Sequence, residues 1–106
     1  MIFNRDARNK KVICADGFRM SVQAFDGAYC SPRQTNAPVY THVEVGYPNR
    51  EEPLLMSYAE TPETPTNSVY AYVPVETVFL VISKHGGMLD GEVPPGVPHY
   101  KTRTSI

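Results

Sequence analysis

Lys11–Phe25 reads KVICADGFRMSVQAF, two runs rich in apolar and β-branched residues on either side of Asp16-Gly17. An Asp-Gly pair in that setting is a strong short-range signal for a two-residue hairpin turn of type I′, with positive φ at Gly17. Such a turn sets Ala15 opposite Phe18, Ile13 opposite Met20 and Lys11 opposite Val22. Strand side chains alternate. The expected apolar face is therefore Ile13, Ala15, Phe18, Met20 and Val22. Val12, Cys14, Arg19, Ser21 and Gln23 fall on a mixed polar face, with Cys14 beside Arg19.

Outward from the hairpin, residues 26–38 read as a loop holding Gly27, Pro32, Asn36 and Pro38. Val39–Tyr47 (VYTHVEVGY) is a second strand signal. Its alternation separates Val39, Thr41, Val43, Val45 and Tyr47 from Tyr40, His42, Glu44 and Gly46. Leu54–Glu60 fits a short strand or a turn and a half of helix equally well. The acidic, proline-rich 60–67 is an expected exposed loop. Ser68–Val73 (SVYAYV) reads as a strand with Val69, Ala71 and Val73 inward and Tyr70 and Tyr72 outward.

A helix is expected over 75–85. Pro74 suits a first helical position, Glu76 lies near the positive helix end, and Gly86-Gly87 is a stop signal. Val75, Val78, Phe79 and Ile82 have helical spacing, with Phe79 expected in the core against Ile13, Phe18 and Met20. The expected fold class is α+β: a small antiparallel sheet with one face covered by this single helix. The domain spans 11–88. Residues 1–10 form an N-terminal arm and 89–106 an extended, proline-rich C-terminal tail.

With 106 residues, a net charge of −1 and a 42% hydrophobic fraction, the chain has ordinary globular statistics. No basic field exists to attract a nucleic-acid backbone. No apolar run approaches a membrane span, and MIFNRDARNKK lacks a signal-peptide core. The expected location is the cytoplasm, where Cys14 and Cys30 would be free thiols.

Chemistry-bearing patterns are sparse. Cys14, Cys30, His42, His85 and His99 match no zinc spacing, so no metal site is expected. Cys30, His42 and Glu44 have the residue types of a thiol–imidazole–carboxylate set but no local signature. His85 reads as a cation favoured by the helix C-terminus. Phosphate loops are absent, and no cofactor is expected. What stands out is one sheet face. Arg19, Tyr40, His42, Glu44, Tyr70 and Tyr72, with Gln23, should lie together on the side away from the helix, a mixture suited to contact.

KVICADGFRMSVQA, YTHVEVGYP and VYAYVPVE, with HGG after the helix, resemble short uncharacterised proteins encoded by tailed bacteriophages. The resemblance spans residues 11–88 and implies no catalytic residue. It implies a non-enzymatic accessory protein in the host cytoplasm that binds a host protein, such as an inhibitor of a host defence system. A second copy is another possible partner. The alternatives are a small nucleotide binder using Arg19, Arg33 and the tyrosines, or a structural virion component.

Overall fold

The structure, a computed structural model, describes residues 9–98. Five strands form one antiparallel sheet in the order β4-β3-β2-β1-β5. They are β1 (Val12–Cys14), β2 (Arg19–Gln23), β3 (His42–Gly46), β4 (Val69–Pro74) and β5 (Met88–Asp90). One helix, α1 (Val75–Lys84), follows β4 directly. Pro53–Tyr58 and Pro65–Asn67 are short 3-10 helices, so of the two readings of the ambiguous segment the structure takes the helical one, in its 3-10 form. No helix of the described residues is long and apolar enough to cross a membrane.

The hairpin forms where expected, but with a three-residue loop. Val12 pairs with Met20 and Ile13 with Arg19. Cys14 N–H donates to Phe18 O at 2.8 Å, and Gly17 N–H donates to Cys14 O at 3.0 Å. Gly17 has φ 93, the left-handed residue that closes a turn of this length. The register therefore slips by one position, and a one-residue slip exchanges the faces of β1. Val12 and Cys14 join Phe18, Met20 and Val22 in the core, whereas Ile13 is half-buried and Ala15 exposed. The expected placement of Cys14 on a polar face is corrected: it is 1% exposed.

Burial is not confined to one face of the central strands. Ser21, Gln23 and Glu44 are buried along with Met20, Val22, Val43 and Val45. Gln23 Nε2 donates to Ser21 Oγ at 2.9 Å and to Asn9 O at 3.2 Å, and Asn9 Nδ2 donates to Val22 O. Polar residues read as solvent-facing thus form a hydrogen-bonded layer.

β4 carries a bulge. Val43 pairs with Val73 but Val45 pairs with Tyr70, leaving Glu44 opposite both Ala71 and Tyr72. Tyr72 absorbs the extra residue at φ 52. Alternation is broken there, so Tyr70 and Val73 are both buried while Val69 is only half-buried. The outer edge of β4 is partly covered: Glu60 N–H bonds Val69 O, and Tyr72 N–H bonds Tyr29 O.

α1 contributes Val75, Val78, Val81 and Ile82 to the core cluster that includes Val12, Met20 and Val22. Phe79 is half-buried, and Val81 takes the place expected for it. Pro74 is the N-cap rather than the first helical residue.

The expected C-terminal tail starts at 89, yet Met88–Asp90 pairs with β1 and Val97 is buried. Gly91 explains the approach. At φ 114 it runs so close to β1 that a Cβ would lie 2.3 Å from Lys11 O. Pro95 O then accepts from Tyr40 N–H at 2.9 Å. Residues 1–8 of the expected N-terminal arm and 99–106 of the tail lie outside the described residues.

Candidate functional site

The six residues expected on one contact face do not stay together. Three are buried. Tyr40 is 2% exposed, its hydroxyl donating to Gln34 O at 2.7 Å and accepting from Ala37 N–H at 3.1 Å. Tyr70 is fully buried and donates to Pro65 O; burial pushes its phenol up, and Glu51 adds to this. Glu44 is 4% exposed, in the polar layer beside Gln23. Arg19 is exposed at the start of β2, and half-buried His42 contacts Thr41 Oγ1 at 2.9 Å. Only Tyr72 is both aromatic and exposed.

Around Tyr72 a different cluster forms. Tyr29, from the loop after the hairpin, has its ring centroid 6.0 Å from that of Tyr72, tilted by 41°. The Arg33 guanidinium lies 5.4 Å from the Tyr29 ring centre, within cation–π range. Both tyrosines are more than one third exposed. The backbone fixes this arrangement through the Tyr72 N–H to Tyr29 O bond at 3.1 Å. The left-handed region is uncommon for a bulky residue and carries strain that the surroundings must hold. Chemically the cluster offers two flat aromatic faces, two hydroxyls and one planar cation. The sequence signal for it was Tyr29 and Arg33 in a loop, without a period to tie them to β4.

A second cluster was not legible. His85, the C-cap of α1, is 8% exposed and lies between two carboxylates. Nδ1 is 2.6 Å from Asp16 Oδ2, and Nε2 is 2.6 Å from Glu52 Oε1. The Phe18 ring stacks on the imidazole at 4.2 Å and 10°. Glu52, 1% exposed, is the N-cap of the 53–58 turn. Its Oε2 accepts from Leu54 N–H at 2.7 Å and from Lys84 Nζ at 2.9 Å. Burial pushes Glu52 up, but the bonds from Leu54, His85 and Lys84 outweigh it and hold the carboxyl below its ordinary value. The hydrogen bond to His85, with that from Phe18 N–H, holds Asp16 low as well. Arg50 adds an ion pair to Asp16 Oδ2 at 3.1 Å.

The thiols offer little nucleophilicity. Burial, with Asp16 nearby, pushes Cys14 up to about 11. Cys30 is also pushed up by burial, and its Sγ donates to Phe25 O and Pro32 O. A thiol nucleophile needs the opposite shift. Both cysteines are free and buried. Among the described residues no group of three or more His, Cys, Asp or Glu is placed to hold a metal ion. A cavity of about 130 Å³ between Asn9, Asn36, Tyr40 and Pro94 is lined without a titratable cluster. Comparison with family models, curated proteins and solved structures finds no match to this chain.

Proposed function

We propose that this chain is a phage-encoded, non-enzymatic accessory protein that binds a host protein through the surface made by Tyr29, Arg33 and Tyr72, as an inhibitor of a defence system would. The observation that carries the reading is Tyr72, an exposed tyrosine held at φ 52 in a bulge beside a second exposed tyrosine. Bulges re-aim side chains, and strained backbone clusters at functional positions. Tyrosine and arginine are the residue types in which interface energy concentrates. The elevated thiols favour binding over thiol catalysis. In this reading α1 covers the sheet face that carries Val12, Met20 and Val22, which leaves the Tyr72 side for contact. The phage context rests on the resemblance of KVICADGFRMSVQA, YTHVEVGYP and VYAYVPVE.

The test is affinity capture from host lysate with the wild type, Tyr72→Ala, the Tyr29→Ala/Arg33→Ala double variant and Leu80→Ala as an exposed control. A stoichiometric partner should be retained by the wild type and by Leu80→Ala. Its affinity should fall about thirtyfold with Tyr72→Ala, the loss expected for truncating a hot spot of ~2 kcal/mol. Melting temperatures should stay close together. Equal capture by every variant would rule this surface out.

A further inference from the structure

Among aspartyl dipeptides, Asp-Gly is the most prone to rearrange, because glycine has no Cβ to shield its own amide nitrogen. The chain contains three such pairs, Asp16-Gly17, Asp26-Gly27 and Asp90-Gly91. In the rearrangement the glycine nitrogen attacks the aspartyl Cγ. An N–Cγ bond forms, a Cγ–O bond breaks, and the oxygen leaves as water with the amide proton and the carboxyl proton. Water then opens the cyclic imide at either carbonyl. Opening at Cγ restores aspartate. Opening at the main-chain carbonyl leaves isoaspartate, which carries one extra carbon in the main chain.

All three aspartates are exposed, so access to water does not separate them. What separates them is how firmly the reacting atoms are held. At Asp16 both partners are tied. Oδ1 accepts from Phe18 N–H at 2.9 Å, and Oδ2 lies 2.6 Å from His85 Nδ1 and 3.1 Å from Arg50 Nη2. Gly17 N–H donates to Cys14 O at 3.0 Å. At Asp90 the glycine is tied. Gly91 is buried and so close to β1 that a Cβ would collide with Lys11 O and Val12 Cα, and Glu92 N–H donates to Lys10 O just beyond it. That main chain has no room to swing toward the carboxyl.

Asp26-Gly27 has neither restraint. The two are the exposed central residues of a turn closed by Ala28 N–H to Phe25 O at 3.0 Å. Asp26 N–H donates to Thr35 Oγ1 at 3.2 Å, but among the described residues no hydrogen bond or ion pair holds its carboxylate. None engages Gly27 N–H either.

We propose that Asp26-Gly27 is a site of spontaneous isoaspartate formation in the folded protein, and that the fold shields the other two pairs. The extra carbon falls between Phe25 and Ala28, both buried, so the turn loses its closing bond. This turn opens the loop that carries Tyr29 and Arg33, and each conversion resets the path of that loop.

The full chain is aged at pH 7 in buffer and, in parallel, in concentrated guanidinium chloride. Chromatography of the digested protein resolves isoaspartyl from aspartyl peptides of equal mass. In buffer, isoaspartate at 26 should exceed that at 16 and at 90 by roughly tenfold, the effect of a modest difference in barrier. In denaturant the three pairs should react at similar rates, since nothing holds any of them. Comparable product at 26 and at 16 or 90 in buffer would overturn the proposal, and so would none at 26. The same preference in denaturant would trace it to neighbouring sequence rather than the fold, and would overturn the shielding. Asp26→Glu lengthens the side chain, so that the imide would need a larger ring. It should abolish the product at 26 and leave 16 and 90 unchanged. Persistence of the modified peptide in that variant would place the product at another residue and overturn the assignment.

Discussion

Gly17 isolates a backbone effect from packing. It sits at φ 93, and a Cβ added there would meet nothing within 4 Å. Any loss on substitution is therefore conformational. Gly17→Val should cost more than ~1 kcal/mol in urea denaturation, because a β-branched residue is strained at positive φ. Gly17→Asn should cost clearly less, since asparagine visits the left-handed region more readily. Equal losses would mean that the turn had changed type. Asp16-Gly17 marked the turn correctly because positive φ selects glycine in two- and three-residue loops alike. For the same reason the pair could not fix loop length. The one-residue slip exchanges Ile13 and Ala15 for Val12 and Cys14, sets of similar apolar character, so the hydrophobic pattern did not discriminate between them. Tyr72 shows the same limit: nothing local announces a tyrosine at φ 52.

At the scale of elements, α1 was legible because its ends are marked chemically. Pro74, Glu76 and Gly86-Gly87 bound a helix observed at Val75–Lys84. Its buried stripe was less so, since Phe79 and Val81 both fit the spacing and only packing selects. Ile82, 2% exposed, should cost about 2–5 kcal/mol when truncated to alanine, as buried isoleucines do. Leu80→Ala, at a position 52% exposed, should stay within about 0.5 kcal/mol. Phe79→Ala should fall between them, below the loss expected of a fully buried ring. Comparable losses at Leu80 and Ile82 would contradict the helix orientation. The strands were harder. The bulge opposite Glu44 inverts the alternation of β4 midway, which buries Tyr70 and exposes Tyr72. β5 precedes a proline-rich stretch, and three residues are too few to show a period. The expected contact face failed for these reasons, since it assumed unbroken alternation across every strand.

For the molecule as a whole, residues 16, 52 and 85 converge from distant parts of the chain, and no pattern in the sequence joins them. That convergence sets the response to acid. Asp16 and Glu52 are both held below their ordinary values of 3.8 and 4.5, Asp16 first by the His85 hydrogen bond, Glu52 by three donors that outweigh its burial. A carboxyl with a depressed folded value binds protons more weakly folded than unfolded. Its contribution is complete above the unfolded value and is lost as pH falls through the folded one. Stability should therefore hold down to about pH 4.5 and then decline as these two carboxylates protonate. Urea midpoints measured from pH 6 down to pH 2.5 check this. Glu52→Gln carries one such carboxyl fewer, so its midpoint should start lower and fall less over the same interval. Parallel curves for the two proteins would place the acid sensitivity in other carboxylates. Glu52→Ala should be the harsher change at neutral pH, by about 3 kcal/mol or more, because it leaves the buried side of His85 facing no acceptor. It also removes the cap on Leu54 N–H, so the 53–58 turn should lose amide protection from hydrogen exchange before the β1–β2 hairpin does. Simultaneous loss in both would show that the two elements open as one unit.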